Sequence, residues 1–372
     1  MSNSQPLPRN VYYDAQINNF ESSGTSSLRL QFSETRNQPV IQNSGAYEIS
    51  IVRFELDTYS LPTWIASIEP EQADPNRMIE TVTLEYIPSS GSPVNTGAIP
   101  LTWVPTNLHV AVPAGPTPLQ DATTEYYWAN SFRHYADLVS TALATASSNL
   151  KTAVGTDLDA FTSPYLEWDK TRQCASLCGP AAFCDDSVTG DRVNIYFNRA
   201  LYGRLTSLPA TKNYNGTSGM IYRIQMQNDH GSRLFLATVR ASDIVYVRCS
   251  QEYSTISNWA AASSIVFTTN SIPVIGSAQS EPLVYFNGSA ISTGIPQNSA
   301  LVISDMATTD LCYKPNLLYV PSAEYRFMSL IGTNEISTID VNVYWRDKKG
   351  NLNPFYLQSG ASASIKILFR LK

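Results

Sequence analysis

The closing stretch of the chain, TIDVNVYWRDKKGNLNPFYLQSGASASIKILFRLK, residues 338 to 372, alternates apolar and polar residues up to the last position. Ile339, Val341, Val343 and Trp345 fall on one face while Asp340, Asn342, Tyr344 and Arg346 fall on the other, the two-residue repeat of a half-buried strand. Ile365, Ile367, Phe369 and Leu371 repeat it, and the turn-forming stretches Lys348 to Asn351 and Ser359-Gly360 separate the two runs. Chain ends are ordinarily the least ordered part of a domain. A tail this apolar must therefore be tied down by pairing inside a sheet, which places the end of the chain in the core.

The same pattern recurs along both ends of the chain. Val11 to Phe20, Leu28 to Phe32, Tyr47 to Leu56, Thr81 to Ile87 and Ile99 to Val104 read as strands separated by Pro- and Gly-rich turns. After Pro105 the mode changes: PAGPTP at 113 to 118 is a stiff connector, and Trp128, Phe132, Tyr135, Val139, Leu143, Ala146 and Leu150 recur every three or four residues. That spacing predicts one amphipathic helix covering a sheet, capped by Thr123 or Thr124 and followed by Gly155. Strands return at Val193 to Phe197, Met220 to Met226, Leu234 to Thr238 and Ile244 to Cys249. Ile265 to Thr269, Ala300 to Ser304 and Tyr325 to Ile331 then resume the first pattern.

A chain of 372 residues exceeds the usual size of one core. The simplest parse is a mainly β protein whose first domain is built from residues 1–105, including an extended arm at 1–10, and 255–372. Residues 106–254 form an inserted α+β domain with the helix.

Charged residues make up 15% of the chain against a typical ~25%, and the net charge is −6. A polar but weakly charged surface suits close contact with neighbours, because few ions must be desolvated. The acidic balance argues against specific nucleic-acid binding, which needs clustered Lys and Arg. Arg346, Lys348 and Lys349 after one strand, and Arg370 and Lys372 at the end of the next, read as solvated charge at opposite ends of a sheet. There is no apolar leader and no run of ~20 apolar residues that could span a membrane. Five cysteines without framework spacing imply free thiols in a reducing compartment. The sequons at Asn215 and Asn287 read as turns.

No residue pattern points to catalysis, a metal or a cofactor. His109, His134 and His230 are outside any ligand or nucleophile–base signature. Cys174, Cys178 and Cys184 are spaced too widely for a zinc knuckle and lack a fourth ligand. Asp185 to Gly190 has the alternating oxygens and sixth-position Gly of a calcium loop, but its twelfth position is Tyr196, where a bidentate carboxylate is required.

Taken in order, VYYDAQINNF, VNIYFNRALYGRLTSLP, SIVFTTNSIPV, IDVNVYWRDKKGNLNPFYL and SIKILFRLK resemble the minor capsid or penton proteins of virophages and Polinton-like viruses, in particular those of the Sputnik type. The resemblance covers most of the chain. It implies a single jelly-roll, an antiparallel β-sandwich, with an inserted domain. It also implies a structural virion protein without enzyme activity that forms homopentamers closing the five-fold vertices of an icosahedral shell, among capsomers of a double jelly-roll major capsid protein. Assembly would take place in the host cytoplasm at a giant-virus factory. The alternative function is a spike or lectin-like module that binds a surface glycan, for which Trp64, Trp103 and Trp259 are candidate stacking residues.

Overall fold

The computed structural model describes residues 7–20, 28–58, 61–66, 79–104, 128–129, 131–214, 219–227, 235–239, 242–275, 284–286, 289–291, 301–308, 316–321, 326–348, 350, 352–357 and 359–372. These fall into two compact units. One comprises Met1–Pro62 and Ala261–Lys372; the other comprises Thr63–Pro116 and Tyr127–Ala260. The candidate connector at 113–118 and the helix caps Thr123 and Thr124 lie outside the described residues.

In the first unit the C-terminal strand, Ser362–Leu371, pairs antiparallel on one side with Asn10–Asn18 and on the other with Tyr47–Asp57. Asn316–Tyr319 and Met328–Ser329 pair with the far side of Tyr47–Asp57, at its two ends. A second antiparallel sheet runs Leu301–Ala307, Ala262–Thr269, Thr338–Asp347, whose far edge is paired with Gln31–Thr35 along its first half and with Leu352–Pro354 along its second. The alternation dictates which side chains meet between them: Ile49, Ile51, Phe54, Ile365, Ile367 and Phe369 from the first sheet, and Phe32, Ile265, Phe267, Val341 and Val343 from the second, are all buried. Phe54 and Phe267 pack edge to face across the layer at 4.8 Å.

The second unit is α+β. Its helix spans Phe132–Val154; the Ser131 side chain accepts a hydrogen bond from the His134 backbone N–H, and Gly155, at a φ of 84°, takes the left-handed C-cap. Tyr135, Leu138, Val139, Leu143, Ala146 and Leu150 form its buried stripe. The helix packs on strands of two antiparallel sheets. One sheet contains Thr81–Ile87, Arg192–Phe197, Tyr222–Ile224 and Ala210–Lys212, and the other Tyr165–Asp169, Cys174–Pro180, Ser242–Ser250 and Phe235–Val239.

Three expectations are corrected. Thr81–Ile87 and Ile99–Pro100 belong to the second unit, not to the N-terminal one, because Thr81–Ile87 is paired residue by residue with Arg192–Phe197. A period-2 run announces a strand but not its partner. The helix begins four residues later than the apolar spacing suggests, since Trp128 sits in a two-residue strand, Trp128–Ala129, that pairs with Trp64–Ile65. Thr338–Asp347 and Ser362–Leu371 lie in different sheets rather than side by side, so the basic residues following them are not the two ends of one sheet.

Candidate assembly surfaces

The outer face of the first sheet is a lattice of short ionic contacts. Asp14, Lys366 and Arg53 stand in one cross-strand row, with Asp14 at 3.1 Å from Arg53 and 3.0 Å from Lys366. Arg370 bonds Glu48 at 2.5 Å, and Asn316 donates to Glu55 at 2.8 Å. A shallow polar hollow lies beside this row, floored by the small residues Ser362, Ala363 and Ser364 and edged by Gln16, Glu55 and Asp57. The two Asp14 pairs are about half exposed, so each contributes little to stability. Their effect is to leave a face without unpaired surface ions along that row.

The Tyr13 hydroxyl donates to Glu34 at 2.7 Å, and Arg36 bonds the same carboxylate at 2.9 Å. Burial, reinforced by the neighbouring carboxylate, pushes the Tyr13 hydroxyl up to about 12. The Tyr13 and Arg36 hydrogen bonds hold Glu34 below the usual carboxylate range. This contact joins the Asn10–Asn18 strand of one sheet to the Gln31–Thr35 strand of the other.

Two buried arrangements hold the units in shape, and neither was visible in the sequence. In the first unit Asp340, assigned by alternation to the polar face, is buried. It accepts hydrogen bonds from the Thr269 hydroxyl (2.7 Å), the Asn270 N–H (2.8 Å), the Ser271 N–H (3.1 Å) and the Ser271 hydroxyl. The carboxylate thereby fixes the turn that ends Ala262–Thr269. In the second unit Arg204 meets Glu80 at 3.1 Å, donates to the Ile65 carbonyl at 3.0 Å and lies over the rings of Trp64 and Tyr135. The sequence separations involved leave no local signal for either.

The other sequence candidates have structural roles. His134 Nε2 donates to the Val104 carbonyl at 2.6 Å, while His109 and His230 lie outside the described residues. Cys174, Cys178, Cys184 and Cys249 are buried and form no disulfide, and burial raises the Cys184 and Cys174 thiols, away from the thiolate that zinc requires. Asp185 accepts from the Ser187 N–H at 2.8 Å and its hydroxyl at 2.7 Å, a local Asx turn, and Asp186 pairs with Arg223. Tyr196 donates to Glu85 at 2.7 Å. No group of His, Cys, Asp and Glu among the described residues is gathered to hold a metal ion. Among the basic residues, Arg346 faces Asp305 and the Lys372 ammonium donates to the Gly45 and Leu330 carbonyls, each at 3.0 Å. Lys349 lies outside the described residues. Trp64, Trp103 and Trp259 are buried, so none can offer a ring face to a sugar. No described helix is long and apolar enough to cross a membrane.

Comparison with known proteins gives this architecture a context. The family model for the Sputnik minor capsid protein V18/19 matches residues 11–371. Two proteins of Sputnik virophage are similar in sequence. Structural protein V19 is 22% identical over 207 residues, covering 54% of this chain and 91% of its own length; uncharacterized protein V18 is 26% identical over 155 residues, covering 41% and 92%. Among solved structures, a chain of the Sputnik virophage particle superposes with a TM-score of 0.80 over 98% of both chains at 23% identity. The mavirus penton protein superposes with a TM-score of 0.62 at 12% identity, over 98% of this chain and 99% of its own. A family match over nearly the whole length, joined to a shared fold, is sufficient: the chain belongs to the Sputnik V18/19 minor capsid family and is a structural protein of the virophage capsid.

Proposed function

We propose that five copies of this chain form a homopentamer that closes each five-fold vertex of the capsid, seated among capsomers of the major capsid protein. The observation that carries this reading is the resemblance over the full length to the mavirus penton protein, together with the family match. We further propose that the first unit is a single jelly-roll. Among its described strands, number the eight principal ones, Asn10–Asn18, Gln31–Thr35, Tyr47–Asp57, Ala262–Thr269, Leu301–Ala307, Asn316–Tyr319, Thr338–Asp347 and Ser362–Leu371, in chain order. One sheet then runs first, eighth, third, sixth and the other second, seventh, fourth, fifth, an arrangement that supports two interlocked Greek keys.

The second unit is then the insertion, entering after Pro62 and leaving before Ala261. The protein acts through shape and symmetry rather than catalysis, carries no cofactor, and assembles in the host cytoplasm at a giant-virus factory. The buried state of Trp64, Trp103 and Trp259 disfavours the glycan-binding alternative. The test is cryo-EM of particles made with and without this chain. Density for it at the vertices, absent when the chain is omitted, is expected; density at any other position would refute the assignment.

A further inference from the structure

Resting on the pentamer reading, we infer that neighbouring copies meet through the two opposite lateral edges of the first sheet, the Asn10–Asn18 edge of one copy against the Asn316–Tyr319 edge of the next. A ring needs a heterologous contact, so one chain must present two different surfaces that fit each other. The first sheet has such a pair. Its order places Asn10–Asn18 at one border and Asn316–Tyr319 at the other, and among the described residues no further strand pairs with the outer side of either. Open strand edges are normally blunted because they invite another chain.

The exposed apolar residues lie at these same borders. Tyr12 is 57% exposed, with Phe20 and Leu28 on its side of the sandwich; Leu318 is 60% exposed, with Val320 and Ile331 on the opposite side. Together with Ile275, whose N–H bonds the Ser329 carbonyl beside Ile331, these are all the large exposed apolar side chains among the described residues of this unit. The second sheet's own border strands flank these edges, Gln31–Thr35 on the first side and Leu301–Ala307 on the second.

Charge does not oppose such a contact. On the first side, the border strand Asn10–Asn18 and the border segment 28–36 of the other sheet carry Arg29 and Arg36 against Asp14 and Glu34. On the second side, Asn316–Tyr319, Leu301–Ala307 and 326–331 carry Arg326 against Asp305. Both borders are therefore balanced in charge, and few ions must be desolvated when they meet. A second copy in head-to-tail register is thus the fitting occupant, because a ring closes only when one apolar border meets the opposite one.

The dimensions also agree. A nine-residue strand is about 30 Å long and the layers of a sandwich stand ~10 Å apart. With its side chains, such an edge offers several hundred Å², approaching the ~800 Å² that each partner gives to a standard stable interface.

The experiment uses shells assembled from the full chain and the major capsid protein, with Tyr12→Cys and Leu318→Cys introduced singly and together and a short bis-maleimide as crosslinker. The double variant is expected to give a ladder of covalent multimers ending at the ring, and each single variant only monomer. Dimers from a single variant would show like edges meeting and overturn the inference. So would vertices occupied by the double variant, seen by cryo-EM, without any ladder, an outcome that leaves the pentamer intact. Shells whose vertices lack the chain altogether would remove the pentamer reading and this contact with it.

Discussion

Replacing Phe369 by Ala tests the claim that the end of the chain is part of the core. Phe369 is fully buried, flanked by Val11 on one neighbouring strand and Ile49 on the other. An aromatic side chain of this kind buries roughly 150–250 Å², worth ~4–6 kcal/mol at ~25 cal/mol per Å² before the part retained by Ala is subtracted. Mutational experience with Phe→Ala in packed cores gives ~3–5 kcal/mol. In a unit of this size that lowers the melting temperature by about 2–4 °C per kcal/mol, hence on the order of 10 °C. Hydrogen exchange on the wild type and variant localises the effect. Amide protection should fall in Asn10–Asn18 and Tyr47–Asp57, the two strands that clasp the C-terminal one, and remain unchanged in Cys174–Pro180 of the second unit. The half-buried Leu371, changed to Ala, should cost under about 1 kcal/mol in the same assay, because surface-side substitutions leave no cavity. A loss below 1 kcal/mol for Phe369→Ala, or equal loss of protection in both units, would refute the reasoning.

Arg204→Leu should destabilise the second unit by ~3–5 kcal/mol by leaving the Glu80 carboxylate buried without its guanidinium, and adding Glu80→Met should recover much of that, measured by urea titration. Gly45→Ala should lower the melting temperature, since an added methyl runs into the Gly332 carbonyl to which the Gly45 N–H donates at 2.6 Å; an unchanged melt would contradict the described turn. Tyr13→Phe should raise the Glu34 pKa, read by carboxyl NMR titration, because the hydroxyl bond holds that carboxylate below its usual range. A depressed carboxylate stabilises the fold above its unfolded pKa and loses this contribution as pH falls through the folded value, so wild type and variant should converge in stability below that window.

Period-2 alternation made the strands legible one by one, and the C-terminal run from Ile365 to Leu371 even implied its own place between other strands. Alternation does not encode partners, which is why Thr81–Ile87 was grouped with the wrong unit: its neighbour, Arg192–Phe197, is more than a hundred residues away. The helix was found by its stripe from Tyr135 to Leu150, but its start was misplaced because Trp128 also fits that spacing while pairing as a strand. Asp340 looked like a solvent-facing residue because burial of a strand's second face depends on what covers it, a property of the fold. The Trp64, Trp103 and Trp259 side chains, available in the sequence for a binding face, are consumed by the core of the second unit. The assembly edges were legible only as low charge density, since the grouping of Tyr12 opposite Leu318 depends on sheet order.

The most direct test of the central claim is the mass of the purified chain, measured by sedimentation and native mass spectrometry at low and at molar salt, alone and after addition of the major capsid protein. A ring joined largely by apolar residues such as Tyr12 and Leu318 should show a mass of five chains that persists at molar salt, because screening weakens contacts between exposed charges, over a Debye length of ~8 Å at physiological ionic strength, and not apolar burial. A chain that stays monomeric under every one of these conditions, and is missing from the five-fold vertices of the reconstituted shells, would contradict the account.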